Sequence, residues 1–127
     1  IYRCAVSVAG VSDVSLLSRI EYRESGENKV RARSLERQLG PKDRYRQISP
    51  RNFAAQADAP ILLIHGRDDT VVPYDQSVRM ANALKEAGKP YEFVELAGED
   101  HWLSLGETRM AMLDATVRFV MQHNPPD

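Results

Sequence analysis

The sequence predicts an α/β fold of about three parallel strands flanked by helices, and three observations carry that expectation. From Pro60 onward, strand and helix patterns alternate as right-handed βαβ crossovers require. The run Ile61-Leu62-Leu63-Ile64 is continuously apolar, so both of its faces should be covered, as in a parallel sheet. Two strand-like runs each end in a loop carrying acids and a histidine, at the carboxyl edge where open α/β sheets place their ligands.

The elements follow in chain order. Ala5-Val6-Ser7-Val8-Ala9 is short, partly β-branched and followed by Gly10, which predicts a buried strand. From Ser12 to Arg51 the chain turns charge-rich, with ten Lys or Arg against five Asp or Glu between Arg19 and Arg51. Leu16, Leu17 and Ile20 give its clearest apolar spacing. One or two helices are expected there, the second around Ser34 to Leu39 and stopped by Gly40-Pro41, because proline cannot continue the hydrogen-bond ladder. Ser49-Pro50 marks a turn before the strand Ile61 to Ile64. Asp75 to Ala87 carries Val78, Ala81 and Leu84 at helical spacing, with Pro73 near its start and Gly88 as its stop. Tyr91 to Leu96 alternates in part between apolar and acidic residues, which suits a strand near an edge. In the last helix, Ser104-x-x-Glu107 reads as a capping box, Met110, Leu113, Val117 and Val120 as one apolar face, and Asn124-Pro125-Pro126 as the end.

Bulk properties narrow the classes. At 127 residues the chain has the size of one domain and would bury about 65% of its unfolded surface. With 43% hydrophobic and 28% charged residues and a net charge of −1, nothing global favours nucleic acid or membrane. No apolar run approaches the roughly 20 residues that span a bilayer. The single cysteine, Cys4, rules out an internal disulfide and any cysteine-based zinc site, and leaves the compartment open. The chain opens on Ile1 with no secretory-signal pattern, which reads as a start in mid-protein.

The chemistry concentrates in His65-Gly66-Arg67-Asp68-Asp69 and Gly98-Glu99-Asp100-His101-Trp102. A histidine acting as general base becomes imidazolium in the transition state, and a fixed carboxylate on its other nitrogen holds the tautomer and stabilises that charge. Asp68 and Asp69 both qualify by type, although an Asp pair after a strand can also simply close a turn on its own backbone. His101 is the candidate base: it follows one predicted strand and precedes a helix, and its loop should neighbour the Asp68-Asp69 loop about 4.8 Å away across one crossover. His65, at a strand end, is expected to be partly enclosed with its ring bonded to backbone, and His123 sits in a fraying helix end. The three histidines show no metal-ligand spacing, so no metal site is expected. The basic stretch reads as solvated helix faces, because glutamates are interleaved and no aromatic row accompanies them. An acid and then a base, each after a strand, match the order in which α/β serine hydrolases supply them after their nucleophile. No Gly-x-Ser-x-Gly occurs; Gly10-Val11-Ser12-Asp13-Val14 lacks the second glycine.

Three stretches together resemble the C-terminal part of the catalytic α/β-hydrolase domain of prolyl oligopeptidase family serine peptidases, in the style of dipeptidyl-peptidase and acylaminoacyl-peptidase members. These are Ile48-Ser49-Pro50-Arg51-Asn52, the run from Ala59 through His65-Gly66-Arg67-Asp68-Asp69-Thr70-Val71-Val72-Pro73, and Gly98-Glu99-Asp100-His101. The resemblance implies a truncated α/β-hydrolase fold over residues 1–127, with Asp69 as catalytic acid, His101 as catalytic histidine and His65 in a structural place. It further implies that Val11-Ser12-Asp13 and the helical insertion wall a substrate pocket, with Val71 and Trp102 as substrate-binding positions; Trp102 replaces a glycine common in the family and would narrow that side.

By this resemblance the parent protein cleaves peptides through an acyl-enzyme without a cofactor, and this chain, lacking the serine, is inactive alone. A carboxylesterase or dienelactone-type hydrolase would use the same pair. The non-enzymatic alternative is a self-associating module, since the open edge of the first strand and an apolar helix face invite pairing between copies.

Overall fold

The computed structural model describes residues 2–126. Three parallel strands form one sheet in the order β1 (Ala5–Val8), β2 (Ile61–Gly66), β3 (Tyr91–Leu96). Helix α3 (Asp75–Glu86) makes the β2–β3 crossover, and α4 (Gly106–His123) follows β3. Between β1 and β2 lie α1 (Val14–Glu24), α2 (Lys29–Leu39) and two 3₁₀ segments, Lys42–Ile48 and Pro50–Gln56.

The apolar run of β2 is explained by its two covers. Leu62 and Ile64 pack with Leu96, Ala115 and Phe119 on the α4 side, whereas Leu63 packs with Ala54, Ala81 and Leu84 on the α3 side. Successive side chains of a strand alternate between faces, so a strand buried on both sides must be apolar throughout. Each such Leu or Ile contributes about 1.5–3 kcal/mol. By the same alternation His65 falls on the α3 face and Gly66 on the α4 face, the arrangement on which the site depends.

Helix ends follow local chemistry. The Asp13 carboxylate accepts from the Leu16 N–H at the start of α1, and Asn28 accepts from the Val30 and Arg31 N–H groups at the start of α2. Helix α2 therefore begins well before Ser34, at its asparagine cap. Helix α3 stops at Gly88, whose φ of 64° lets its N–H reach Lys85 O and the Lys89 N–H reach Leu84 O.

Three expectations are corrected. The strand β1 is an edge strand and only partly covered, with Val8 41% exposed, because among the described residues only β2 pairs with it. The Ser104–Glu107 capping box does not form: the Ser104 hydroxyl donates to Asp100 Oδ2, and the Leu105 N–H is taken by the Glu99 carboxylate. The stripe Met110, Leu113 and Val117 is exposed, and α4 packs instead through Ala115 and Phe119, with Met112 beside them. Helix α4 is apolar on two faces, so periodicity alone could not say which one the sheet would take.

Candidate active site

The β2–β3 register sets Gly66 opposite Leu96, so the two loops that follow start side by side. They then cross at backbone contact: the Arg67 N–H donates to Leu96 O and the Asp68 N–H to Glu99 O, each at 3.0 Å. A Cβ on residue 66 would lie 2.4 Å from Glu99 O and 3.0 Å from Asp100 O. Only glycine allows this approach.

The crossing brings Asp69 to His101. Asp69 Oδ1 accepts the N–H groups of Val71 and Val72 at 2.9 and 2.8 Å, and Oδ2 lies 2.8 Å from His101 Nδ1. A carboxylate can only accept, so His101 Nδ1 carries the proton and Nε2 is left as the basic end. The Asp69 side chain is fully enclosed while that of His101 is 30% exposed, which gives a fixed carboxylate beside a partly exposed imidazole. Asp68 is exposed and enters the crossing through its backbone.

The other candidate residues take separate places. His65 is fully buried, with Nδ1 2.7 Å from Ser77 Oγ and Nε2 2.8 Å from Val72 O, so a hydroxyl as well as the expected backbone carbonyl holds the ring. His123 packs on Phe119 at the far end of α4. Val71 is exposed beside Asp69, and the 69%-exposed Trp102 ring meets His101 edge-on at 5.7 Å. A cavity of about 210 Å³ lies against β1, bordered by Ser7, Val11, Leu63 and Met80, and neither Asp69 nor His101 lines it. Among the described residues no group of three or more His, Cys, Asp or Glu side chains gathers as metal ligands would. None of the described helices is long and apolar enough to cross a membrane.

Two positions that matter here carried no clear signal in sequence. Glu99 is fully buried and its carboxylate accepts from the N–H groups of Asp100 and Leu105 and from the Thr108 hydroxyl, capping α4 from outside the helix. Burial pushes its carboxyl up, but the hydrogen bonds of Thr108, Asp100, Leu105 and Ser104 outweigh that and hold it below the usual glutamate range. Glu99 thereby braces the loop that carries His101. Gln76, also fully buried, clamps the loop after β1: Oε1 accepts the Ser12 and Asp13 N–H groups at 3.0 and 2.7 Å, and Nε2 donates to Asp13 O at 3.0 Å. Asp13 is in turn paired with Arg51 and Arg79 at 2.8 and 3.2 Å. Burial raises its pKa, but the Leu16 N–H and the two guanidinium groups prevail and lower it.

The model of the prolyl oligopeptidase family matches residues 1–125. The chain belongs to the prolyl oligopeptidase family. Among solved structures, a puromycin-hydrolyzing peptidase of Mycobacterium tuberculosis superposes with a TM-score of 0.83 at 29% identity, over 96% of this chain and 18% of that one. The uncharacterized peptidase YuxL of Bacillus subtilis is 36% identical over 56 residues, 44% of this chain and 8% of that protein. Esterase YjfP of Escherichia coli is 54% identical over 33 residues, 26% of this chain and 13% of that protein. The chain thus spans less than a fifth of the length of each, and its three-stranded sheet has the architecture of an α/β-hydrolase.

Proposed function

We propose that residues 1–127 form the C-terminal part of the α/β-hydrolase domain of a serine peptidase and supply the acid and base of its triad. The observation that carries this reading is the 2.8 Å contact between buried Asp69 Oδ2 and His101 Nδ1, which leaves Nε2 as the basic end of a ring that is 30% exposed. In the complete site Nε2 takes the proton of a serine hydroxyl as its oxygen attacks the peptide carbonyl. The imidazolium then returns that proton to the leaving amine, and water repeats the cycle on the acyl-enzyme. Asp69 holds the imidazole and offsets its charge in both transition states. Val71, beside Asp69, and Trp102, beside His101, are both exposed and bound the substrate's approach.

No Gly-x-Ser-x-Gly occurs in this chain, so on its own it forms no acyl-enzyme and hydrolyses no peptide. The decisive experiment uses the longer protein that carries the serine. There Asp69→Asn lowers kcat by roughly 10³–10⁴-fold through loss of the correct tautomer, while Asp68→Asn, altering an exposed side chain, stays within about twofold. The reverse ranking refutes the assignment. A second reading, an esterase, draws on the likeness to esterase YjfP. Comparing an anilide with an ester of the same acyl group separates the two, because only the amide needs full protonation of its leaving group.

Copies of the isolated chain associate through the edge of β1 that has no partner strand among the described residues and through the exposed stripe of α4. A constant monomer mass by light scattering across micromolar concentrations refutes this part.

A further inference from the structure

Behind the pair stands a second histidine, already present in the fold and not part of the proton path just described. His65 lies on β2, and its ring is fixed at both nitrogens and on one face. Nδ1 is 2.7 Å from Ser77 Oγ, Nε2 is 2.8 Å from Val72 O, and the Tyr74 ring meets it near-perpendicular at 5.8 Å. The tautomer follows from the partners. A backbone carbonyl can only accept, so Nε2 carries the proton, and in the neutral ring Nδ1 must then accept from the Ser77 hydroxyl.

This tautomer acts on Asp69 through Val72, whose peptide groups are used on both sides. The Val72 N–H donates to Asp69 Oδ1 at 2.8 Å, while its carbonyl accepts from His65 Nε2. The turn from Asp69 to Val72 is thereby tied to a buried strand residue, and the carboxylate cannot rotate without giving up the Val71 and Val72 donors. His65 Nε2 also lies 3.3 Å from Asp69 Oδ2, the oxygen that meets His101. A positive edge of one imidazole is therefore held against the carboxylate atom that orients the other.

We infer that His65, held as its Nε2–H tautomer by the Val72 carbonyl and steadied at Nδ1 by Ser77, is a positioning residue that aims the Asp69 carboxylate at His101 through the Val72 peptide. The inference rests on the pair proposed above, and its test separates the two ideas.

The experiment uses the full chain with ¹⁵N-labelled histidine and reads long-range ¹H–¹⁵N correlations. The wild type shows His65 as one Nε2–H tautomer and a slowly exchanging downfield proton on His101 Nδ1. His65→Leu removes the tie and speeds exchange of the His101 proton about tenfold, the scale of one lost buried hydrogen bond. His65→Gln, whose amide nitrogen can take the Nε2 place, restores slow exchange. Amide protection at Ala115 and Phe119, on the other face of the sheet, stays at the wild-type level in all variants and separates positioning from general loosening. Ser77→Ala, which keeps the imidazole and its Val72 acceptor but removes the hydroxyl that steadies the ring at Nδ1, speeds the same exchange, and it decides the matter if His65→Leu does not fold. Wild-type exchange in the folded His65→Leu protein, or in Ser77→Ala in its place, overturns the inference. Asp69→Asn is the reference: if it leaves the His101 proton unchanged, the Asp69–His101 pair fails and this inference with it. If it abolishes the signal while His65→Leu keeps it, only the role of His65 fails.

Discussion

The corner formed by the loops after β2 and β3 and the flank formed by β1 and the outer face of α4 are built in opposite ways. At the corner, strand register, a glycine crossing, a buried glutamate and the donors around Asp69 lock the two loops together across one crossover. On the flank the sheet ends in a strand with one paired edge among the described residues, and Met110 and Val117 stand 56% and 53% exposed. The contrast teaches that a buried carboxylate and a histidine can be brought into hydrogen-bond contact by two neighbouring strands and their loops alone.

Substitution at the crossing tests the contrast most severely. Gly66→Ala forces a Cβ against Glu99 O, a backbone atom that cannot turn aside, and should destabilise the chain by about 2–4 kcal/mol, read in denaturant unfolding. An unchanged midpoint would mean that the loops are not held by this contact. Acid is the next probe. The Glu99 pKa in the folded chain lies below its ordinary 4.5, so the stability Glu99 contributes is fully present above that value and is lost as pH falls through the lower folded one. The lowered Asp13 acts in the same direction below 3.8. Trp102 fluorescence should therefore report loosening of the His101 loop on acidification below about pH 4.5, and Glu99→Gln should flatten that response. The smallest effect belongs to the flank. Val117→Lys should change stability by no more than about 0.5 kcal/mol, because the side chain is already in water, while weakening any association measured by scattering. A large loss of stability there would show that the flank is an internal contact.

Much of the fold was legible in particular residues. The unbroken Ile61-Leu62-Leu63-Ile64 announced a doubly covered strand, Gly88 the end of α3, and the mixed polarity of Tyr91–Leu96 an edge. The reading failed where one pattern admitted two answers. In α4 the Met110-Leu113-Val117 and Met112-Ala115-Phe119 stripes both have helical spacing, and packing selected the second. Ser104 and Glu107 have capping spacing, but Asp100 and Glu99 reach Ser104 and the Leu105 N–H first.

The candidate site divides along the same line. The sequence by itself determined the chemical types and their order: an acidic pair after one strand and a histidine after the next, in one chain with no serine elbow. These follow from residue identity and local periodicity, which need no knowledge of distant contacts. The family resemblance already pointed to Asp69 over Asp68, but only the tertiary structure decided how Asp69 Oδ2 meets His101 Nδ1, that Glu99 and Gln76 are enclosed clamps, and that His65 grips the turn of Val72. The physical reason is that a hydrogen bond of 2.8 Å selects between adjacent residues by direction, and direction is set by the register of β2 on β3 and the close crossing at Gly66.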